Sequence, residues 1–176
     1  MAAGISISNN CLEYIKELLP VDSVILEMGS GEGTIWLSKA GYKMYSVENQ
    51  LEWMNKFPEH TTYINCNILP YDDYAYQPPE MLPWVRELQK GWYDPRQLFP
   101  NLPESYDLIL VDGPGSMWGR AGFYKHIDKF NTDVPIIFDD IHRTHDSEVM
   151  ELVSEYLGRD YELIDEYTGV ILGKSN

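Results

Sequence analysis

The sequence predicts a doubly wound α/β domain with a mostly parallel sheet. Short, continuous apolar runs alternate along the chain with segments of helical periodicity, and several runs stop at glycine or acidic residues. Continuous apolar runs indicate strands buried on both faces, and their alternation with helices indicates a parallel sheet covered on both sides. We therefore expect residues 1–176 to form a single domain, a length that suffices for one proper core.

The first part of the chain predicts alternating helices and strands with short connections. Asn9 and Asn10 precede the first helical pattern and are expected to cap it, and Pro20 is expected to end it. The elements predicted after this helix are a strand over Val24–Leu26, a helix over Thr34–Ala40, a strand over Lys43–Val47, a helix over Leu51–Phe57 and a strand over Thr61–Cys66.

The second part of the chain continues the alternation and ends in a turn signal. Its predicted elements are strands over Leu108–Val111 and Val134–Phe138, with helices over Ala121–Phe130 and Glu148–Leu157. Tyr161–Glu166 and Val170–Leu172 flank Thr168-Gly169, which predicts an antiparallel hairpin at the edge of the sheet.

Residues 70–103 interrupt this rhythm with a segment rich in proline and aromatic residues. A stretch of this length inside a compact domain is usually a lid, a binding insertion or a satellite of the core. We favour a cover that faces the substrate. The alternative is that the aromatic side chains simply pack against the edge of the sheet.

The composition excludes several classes of function. Lys and Arg number 13 against 28 Asp and Glu, and the net charge of −15 repels the phosphate backbone of nucleic acids. The sequence lacks a basic leader and an apolar run of membrane-spanning length, so we expect a cytoplasmic protein without a membrane partner. Cys11 and Cys66 lie far apart and are expected to be buried thiols. The oligomeric state is not predicted.

The segment from Glu27 to Gly33 carries the first functional signal, because it joins a predicted strand to a predicted helix. Free amides at a helix N-terminus bind anionic groups, and glycines let a ligand approach the backbone. The spacing disfavours a nicotinamide cofactor, since Thr34 stands where the third glycine of a dinucleotide fingerprint would be. The alternative is a tight turn that binds no ligand.

Acidic residues end three further strands. Glu48 follows Gly29 by 19 residues, at a position where its two oxygens match the two vicinal hydroxyls of a ribose. Asp112 ends a later strand, and Asp139 or Asp140 ends the next, so these carboxylates are expected to converge at the carboxyl edge of the sheet. Converging carboxylates need a compensating cation, for which Mg²⁺ or another divalent cation is suited.

The glycine loop and Glu48 together resemble the class I S-adenosylmethionine-dependent methyltransferases. The residues that match the first motif of that family position for position are Glu27, Gly29, Gly31 and Gly33. The resemblance implies a Rossmann-like methyltransferase fold in which the loop, with Ser30, packs against the methionine half of the cofactor and Glu27 helps to hold its ammonium group. It also implies that Glu48 binds the ribose. Asn67 stands where many members carry an acidic residue facing the adenine, although it is equally consistent with a turn.

The second half is similar to the metal-dependent O-methyltransferases, and this resemblance implies that Asp112, Asp139 and Asp140 bind the metal and that Asp112 also contacts the cofactor and acceptor. Gly115 stands where catechol-type members have a lysine. The proton acceptor is therefore open, with His142 as the first candidate because a neutral imidazole titrates near operating pH. The alternative for His142 is a capping or packing role.

A looser likeness links the second half to glucuronoxylan-type O-methyltransferases, which methylate a sugar acid. It is carried by Asp112–Gly115, by Gly119-Arg120 and by Asp139–Arg143. Arg120 and Arg143 are suited to clamp a carboxylate or phosphate on the acceptor. The alternative, which we favour for both, is ordinary salt bridging in an acidic chain.

The predicted function is transfer of a methyl group from S-adenosylmethionine to an oxygen of a small molecule or saccharide, assisted by a metal. Two alternatives stay open at this point. One is a metal-independent N-methyltransferase or aminopropyl-type transferase in which Asp112 orients an amine. The other is a non-catalytic module that binds S-adenosylmethionine.

Overall fold

A seven-stranded sheet forms the centre of the described part of the chain. The computed structural model describes residues 7–54, 59–71 and 89–174. Its strands are β1 (Val24–Met28), β2 (Lys43–Glu48), β3 (Thr61–Asn65), β4 (Ile68–Pro70), β5 (Gly91–Tyr93), β6 (Leu108–Val111), β7 (Ile136–Phe138), β8 (Tyr161–Leu163) and β9 (Gly169–Ile171).

The order of strands in the main sheet is β3-β2-β1-β6-β7-β9-β8. The first five of these are parallel to one another, and β9 runs antiparallel to both β7 and β8. The predicted doubly wound, mostly parallel sheet with a C-terminal antiparallel hairpin is therefore confirmed. The hairpin places β8, and not β9, at the edge of the sheet.

Each face of the sheet carries its own apolar core, as the alternation along β6 shows. Leu108 and Leu110 point into a core with Cys11 and Ile15 on one face, while Ile109 and Val111 point into a second core on the other. Successive side chains of a strand point to opposite faces, so a continuous apolar run is needed when both faces are covered.

The described helices are α1 (Asn9–Leu18), α2 (Glu32–Lys39), α3 (Pro95–Leu98), α4 (Ala121–Lys125) and α5 (Thr144–Leu157). The prediction that Asn9 and Asn10 cap α1 is wrong: the Ser8 side chain accepts the amide of Cys11 at 3.0 Å, because Ser8 has the extended backbone that an N-cap requires. No helix in the described ranges is long and apolar enough to cross a bilayer.

The predicted helices differ in extent from those observed: the helix predicted over Glu148–Leu157 begins at Thr144, and the one predicted over Thr34–Ala40 spans Glu32–Lys39. The predicted helix over Ala121–Phe130 ends at Lys125 and continues as a 3₁₀ turn over Ile127–Lys129. Residues 51–54 form turns, and the remainder of the helix predicted there, residues 55–58, lies outside the described residues.

The segment that interrupts the sequence rhythm contributes a second, small sheet in which β4 and β5 pair antiparallel. Tyr71, Trp92 and Tyr93 are buried in the core. Residues 72–88, which include the other aromatic residues of the predicted cover, lie outside the described residues. The described end of this segment thus packs against the sheet and contributes to the core.

Candidate functional site

A cleft of about 240 Å³ opens at the carboxyl ends of the parallel strands. Its described lining residues are Gly29, Ser30, Glu48, Asn49, Gln50, Trp53, Tyr93, Asp112, Gly113, Gly115, Ser116, Arg120, Asp140 and Arg143. The chain leaves β1 towards β2 on one side and returns to β6 on the other, and ligands of doubly wound sheets bind at such a reversal of strand order.

The backbones of two loops touch at the floor of the cleft. A Cβ added to Gly29 would lie 2.9 Å from the Cα of Gly113, and a Cβ added to Gly113 would lie 2.7 Å from the Cα of Gly29. Gly29 also has a φ of +91°, which side chains other than glycine rarely adopt. Both positions therefore require glycine, and the floor of the cleft is backbone.

Glu48 joins the glycine loop to the end of β2. Its side chain is 4% exposed and accepts three backbone amides, from Ser30 at 2.9 Å and from Asn49 and Gln50 at 2.7 Å each. An ionised carboxylate offers about four lone-pair sites, so capacity for a ligand hydroxyl is left on its oxygens. The predicted ribose-binding residue thus lies in the cleft and also shapes the loop beside it.

Glu27 is hydrogen-bonded to residues of the same loop and of β2. It is not among the described lining residues of the cleft. Its Oε2 accepts the hydroxyl of Thr34 at 2.7 Å and that of Ser46, its neighbour in the β1–β2 register, while Thr34 Oγ1 accepts the Gly31 amide at 3.0 Å. Oε1 has no hydrogen-bond partner among the described residues. Full burial raises the pKa of Glu27 to about 7.

Three other residues predicted to bind the cofactor lie elsewhere. Gly31 and Gly33 do not line the cleft, and a Cβ on Gly33 would lie 3.2 Å from the side chain of Ile7. Asn67 is exposed, and its backbone bonds to Gln97 and Asp94 at 2.8 Å each. The glycine at position 33 is thus explained by close packing against Ile7, and Asn67 links β3 and β4 to the segment around α3 without forming the turn considered from the sequence.

The three predicted metal ligands do lie together. Asp112, Asp139 and Asp140 each offer a carboxylate oxygen, and these oxygens all lie within 4.8 Å of one another. Burial, followed by the neighbouring charge of Asp139, holds the pKa of Asp112 well above its usual range. Burial and the charge of Asp140 raise the pKa of Asp139 in the same way. The raised pKa values show that burying these carboxyl groups close together at the sheet edge disfavours their charged forms, as expected for like charges.

Arg120 supplies positive charge at the centre of this cluster. Its side chain is 2% exposed, and its guanidinium donates to the carbonyl oxygens of Asp112 at 2.6 Å, of Val111 at 3.3 Å and of Asp139. It also donates to Oδ2 of Asp140 at 2.9 Å. Both terminal nitrogens of Arg120 thus donate to oxygens of the protein itself. Arg120 is therefore not arranged as the clamp for an acceptor that the sequence suggested.

Arg143 and His142 follow the cluster along the chain. Arg143 lines the cleft and lies 2.8 Å from Oδ2 of Asp140, so it too is paired within the protein. His142 is exposed, and its ring meets that of Tyr167 edge-on with centroids 5.1 Å apart. His142 is not among the described lining residues, so the structure does not bring this predicted proton acceptor into the cleft.

Tyr93 lines the cleft and belongs to the 70–103 segment, which the sequence predicts to face the substrate, but it is not among the individual residues predicted for the site. Its side chain is fully buried, and its hydroxyl has no hydrogen-bond partner among the described residues. The hydroxyl oxygen lies 2.8 Å from where a Cβ on Gly113 would be, at the floor of the cleft. Burial raises the pKa of Tyr93 well above its usual range, so the hydroxyl keeps its proton. No local signal marks Tyr93, because only the pairing of β5 with β4 carries it there.

Comparisons with known proteins identify the fold. No protein-family model and no curated protein matches the chain. Among solved structures, it resembles a methyltransferase-like protein from Silicibacter pomeroyi, at 20% identity and a TM-score of 0.57, covering 97% of this chain and 89% of that one. It also resembles a TehB-like SAM-dependent methyltransferase from Corynebacterium glutamicum, at 15% identity and a TM-score of 0.52, covering 98% and 91%.

A third similar structure is the MycE methyltransferase from the mycinamycin biosynthetic pathway, in complex with Mg and SAH. The identity is 12%, the TM-score is 0.53, and the match covers 92% of this chain and 44% of that one. At these identities the likeness shows the fold alone. The chain therefore has the fold of the S-adenosylmethionine-dependent methyltransferases.

Proposed function

We propose that the protein binds S-adenosylmethionine in this cleft and transfers its methyl group to a small molecule or saccharide, with an oxygen as the favoured acceptor. The observation that carries the proposal is the placement of the Glu48 carboxylate, the Gly29–Ser30 backbone and Asp112 around one cleft. Fold neighbours that are methyltransferases support it, among them one solved with SAH.

The residues present fit such a cofactor. The backbone floor at Gly29 and Gly113 leaves space that any Cβ would fill, and the buried Tyr93 hydroxyl beside it lacks a partner. Glu48 offers carboxylate oxygens to vicinal hydroxyls. The acidic residues around the cleft also favour a cationic ligand.

The protein's main contribution to the reaction is alignment. Bound S-adenosylmethionine supplies an electrophilic methyl group on a sulfonium. Holding the acceptor oxygen near attack distance provides much of the rate of an in-line displacement. Asp112 lines the cleft, and its raised pKa suits a carboxylate that accepts the proton of an acceptor hydroxyl.

Two residues compete for the role of proton acceptor. Asp112 is favoured because it lines the cleft, whereas His142 stays a prediction from the sequence. The pH profile of turnover distinguishes the two residues. If Asp112 accepts the proton, Asp112→Asn removes the rise in rate that follows deprotonation of the basic group. If His142 accepts the proton, His142→Ala removes that rise instead.

The predicted divalent metal does not fit the cluster as it stands. Oδ2 of Asp140 lies within 2.9 Å of both Arg120 and Arg143, and Arg120 is 3.5 Å from Oδ1 of Asp112. A divalent ion placed there would meet two guanidinium groups. Metal-assisted O-methylation stays a prediction. Measuring turnover with added Mg²⁺ and with chelator tests it. We expect that neither addition changes the rate.

Calorimetric titration with S-adenosylmethionine and its demethylated product tests the binding step. Glu48→Ala is expected to weaken binding by tenfold or more, since hydrogen bonds to a charged group contribute about 1.5–3 kcal/mol. Glu32→Ala is the matched control, because Glu32 begins α2 beside the same loop, is exposed and does not line the cleft. Thermal unfolding of both variants checks that the loop is intact. Equal affinity in Glu48→Ala and wild type would contradict the ribose contact.

A metal-independent transferase that acts on amines is the second candidate, and the position of Arg120 among the aspartates favours it. Incubation with S-adenosylmethionine and panels of hydroxyl and amine acceptors, followed by mass spectrometry, distinguishes the two. Cofactor binding without a modified acceptor in any panel would point instead to a non-catalytic module.

A further inference from the structure

The guanidinium of Arg120 contacts all three aspartates: it lies beside the carboxylates of Asp112 and Asp140 and donates to the backbone carbonyl of Asp139, whose carboxylate accepts the hydroxyl of Thr168 at 3.1 Å. Its contacts come from the carboxyl ends of two adjacent parallel strands: Val111 ends β6 and Asp112 follows it, while Asp139 follows β7, and Arg120 donates to the carbonyl of each. It reaches Asp140 Oδ2 at 2.9 Å. One side chain thus ties together both strand ends that carry the predicted metal ligands.

A fourth acidic residue lies beside Arg120. Asp146 lies in α5, is 1% exposed, and has Oδ1 at 3.7 Å from Nε of Arg120. Neither oxygen of Asp146 has a hydrogen-bond partner among the described residues. A buried carboxylate without hydrogen bonds needs a nearby cation. Arg120 therefore lies beside acidic groups in the cleft and in α5, and Arg143 and His145 lie near the other oxygen of Asp146 at 3.7 and 3.5 Å.

The start of α4 fixes Arg120 in this position. Arg120 is the residue before the helix, and the first helical amide, that of Ala121, donates to Gln89 Oε1 at 2.7 Å. The amide nitrogen of Gln89 donates in turn to the carbonyl of His145 in α5 at 3.3 Å. These bonds hold the backbone next to Arg120, and the hydrogen bonds of its guanidinium to four oxygens hold the side chain.

We propose that Arg120 is the permanent cation of this site: it takes the place among Asp112, Asp139 and Asp140 that a divalent metal would otherwise take, and it holds Asp112 towards the cleft. Arg120 is a positioning residue, because it acts through the aspartates. The exclusion of metal stands on the contacts alone, and only the orientation of Asp112 for catalysis rests on the proposed function.

Charge explains why the two cations exclude each other. The oxygens of the cluster lie within 4.8 Å of one another, so a metal bound by all three aspartates would be a near neighbour of the guanidinium. Like charges this close repel, and the repulsion is stronger here than in bulk water because the side chain of Arg120 is only 2% exposed. Removing Arg120 leaves three convergent carboxylates with oxygen ligands of the kind that hard divalent cations prefer.

The test is binding of Mn²⁺, followed by the paramagnetic resonance signal of the free ion in the absence of S-adenosylmethionine. Wild-type protein is expected to leave the signal unchanged. Arg120→Gln, which keeps hydrogen-bond donors but loses the charge, is expected to bind Mn²⁺ with a Kd on the order of 10⁻⁴ to 10⁻³ M, the range of weak oxygen-ligand sites. Adding Asp112→Asn to this variant should abolish the binding.

Arg159→Gln is the matched control. Arg159 also donates to backbone carbonyls, those of Leu172 at 2.9 Å and Thr132 at 2.6 Å, but these follow β9 and precede β7 at the opposite edge of the sheet. The control removes the same charge without exposing the three aspartates. It is expected to bind no Mn²⁺.

Two results overturn the proposal. One is Mn²⁺ binding by wild-type protein that Asp112→Asn abolishes, because metal and arginine would then coexist. The other is failure of Arg120→Gln and Arg120→Ala to bind Mn²⁺. If either variant is unfolded, circular dichroism is repeated with Mn²⁺, and refolding by the metal supports the proposal while its absence counts as failure to bind.

These measurements are independent of the proposed function, since they contain no cofactor. If wild-type protein fails to bind S-adenosylmethionine, the proposed function falls and the metal result still stands. If it does bind and turns over, addition of Mg²⁺ is expected to restore part of the turnover lost in Arg120→Gln and to leave the wild-type rate unchanged.

Discussion

The two halves of the cleft satisfy their buried acidic groups in different ways. On the β1–β2 side, Glu48 accepts three backbone amides and Glu27 accepts two hydroxyls, so every donor is neutral. On the β6–β7 side, Asp112 and Asp140 lie beside one buried cation, Arg120. The first half uses several neutral donors, and the second uses two guanidinium groups, the buried Arg120 and the partly exposed Arg143.

The two halves also differ in how much they depend on distant parts of the chain. The amides on Glu48 belong to Ser30, Asn49 and Gln50, which lie in the adjoining loops. Arg120 must meet residues from two strand ends and from α5. A change on the first side is therefore expected to act locally, while a change on the second side disturbs several elements together.

Gly29→Ala breaks the contact between the two halves and is expected to have the largest effect. The new Cβ would meet Gly113 at 2.9 Å, and the φ of +91° disfavours alanine. Left-handed strain and steric overlap together are expected to lower the free energy of unfolding by about 3–5 kcal/mol. Urea denaturation measures this loss, and binding of S-adenosylmethionine should disappear with it.

Gly115→Ala is the control for this substitution. Gly115 lines the same cleft, but a Cβ there meets nothing within 4 Å. Its stability should stay within about 0.5 kcal/mol of wild type. Comparable losses in both variants would contradict the close approach of the two loops.

Glu27→Gln sharpens the comparison, because Glu27 is buried beside neutral donors only. The folded-state pKa of about 7 is raised above the ordinary value of 4.5, so folding is favoured while the group is protonated. That contribution is fully present below pH 4.5 and is lost as the pH rises to about 7. Glu27→Gln should match wild type at pH 4.5 and exceed its stability by about 2–3 kcal/mol at pH 8.

Thermal and urea unfolding of both proteins across this pH range measure the effect. Glu162→Gln, an exposed position on β8, provides the control and should show no such pH-dependent difference. A Glu27→Gln variant that is less stable than wild type at pH 8 would show that the carboxylate is compensated by more than hydroxyl donors.

Tyr93→Phe probes the floor that both halves share, and its expected effect is the smallest. Because the buried hydroxyl has no partner among the described residues, its removal should leave the stability of the ligand-free protein unchanged or slightly higher. If the hydroxyl bonds to the ligand, the affinity for S-adenosylmethionine should fall by about 0.5–1.5 kcal/mol, the net value of one hydrogen bond.

The control for this prediction is Tyr42→Phe, which removes a hydroxyl that does have a hydrogen-bond partner and does not lie in the cleft. The Tyr42 hydroxyl donates to the carbonyl of Leu19 at 3.1 Å, away from the cleft. Its removal should cost about 0.5–1.5 kcal/mol of stability and leave the affinity unchanged. A loss of stability without a loss of affinity in Tyr93→Phe would remove Tyr93 from the binding site.

Much of the fold and part of the site could be predicted from local patterns. The apolar runs ending at Glu48, Asp112 and Asp139 predicted strands whose carboxyl ends meet, and the structure places these residues at one edge. The boundaries of elements were less well predicted, as at Ser8 and α4, because caps and helix ends depend on single hydrogen bonds. The pairing of β4 with β5 carried no signal, since three-residue strands lack a periodic pattern.

The sequence by itself determined the order along the chain of the seven strands in the main sheet, because apolar periodicity and turn residues act over a few neighbouring positions. That order was enough to bring the acidic strand ends to one edge of the sheet. Only the tertiary structure decided how their charge is balanced. Arg120 lies beside these carboxylates, and His142 packs against Tyr167 outside the cleft lining. Both placements depend on burial and on distances between residues far apart in the chain, which no local pattern contains.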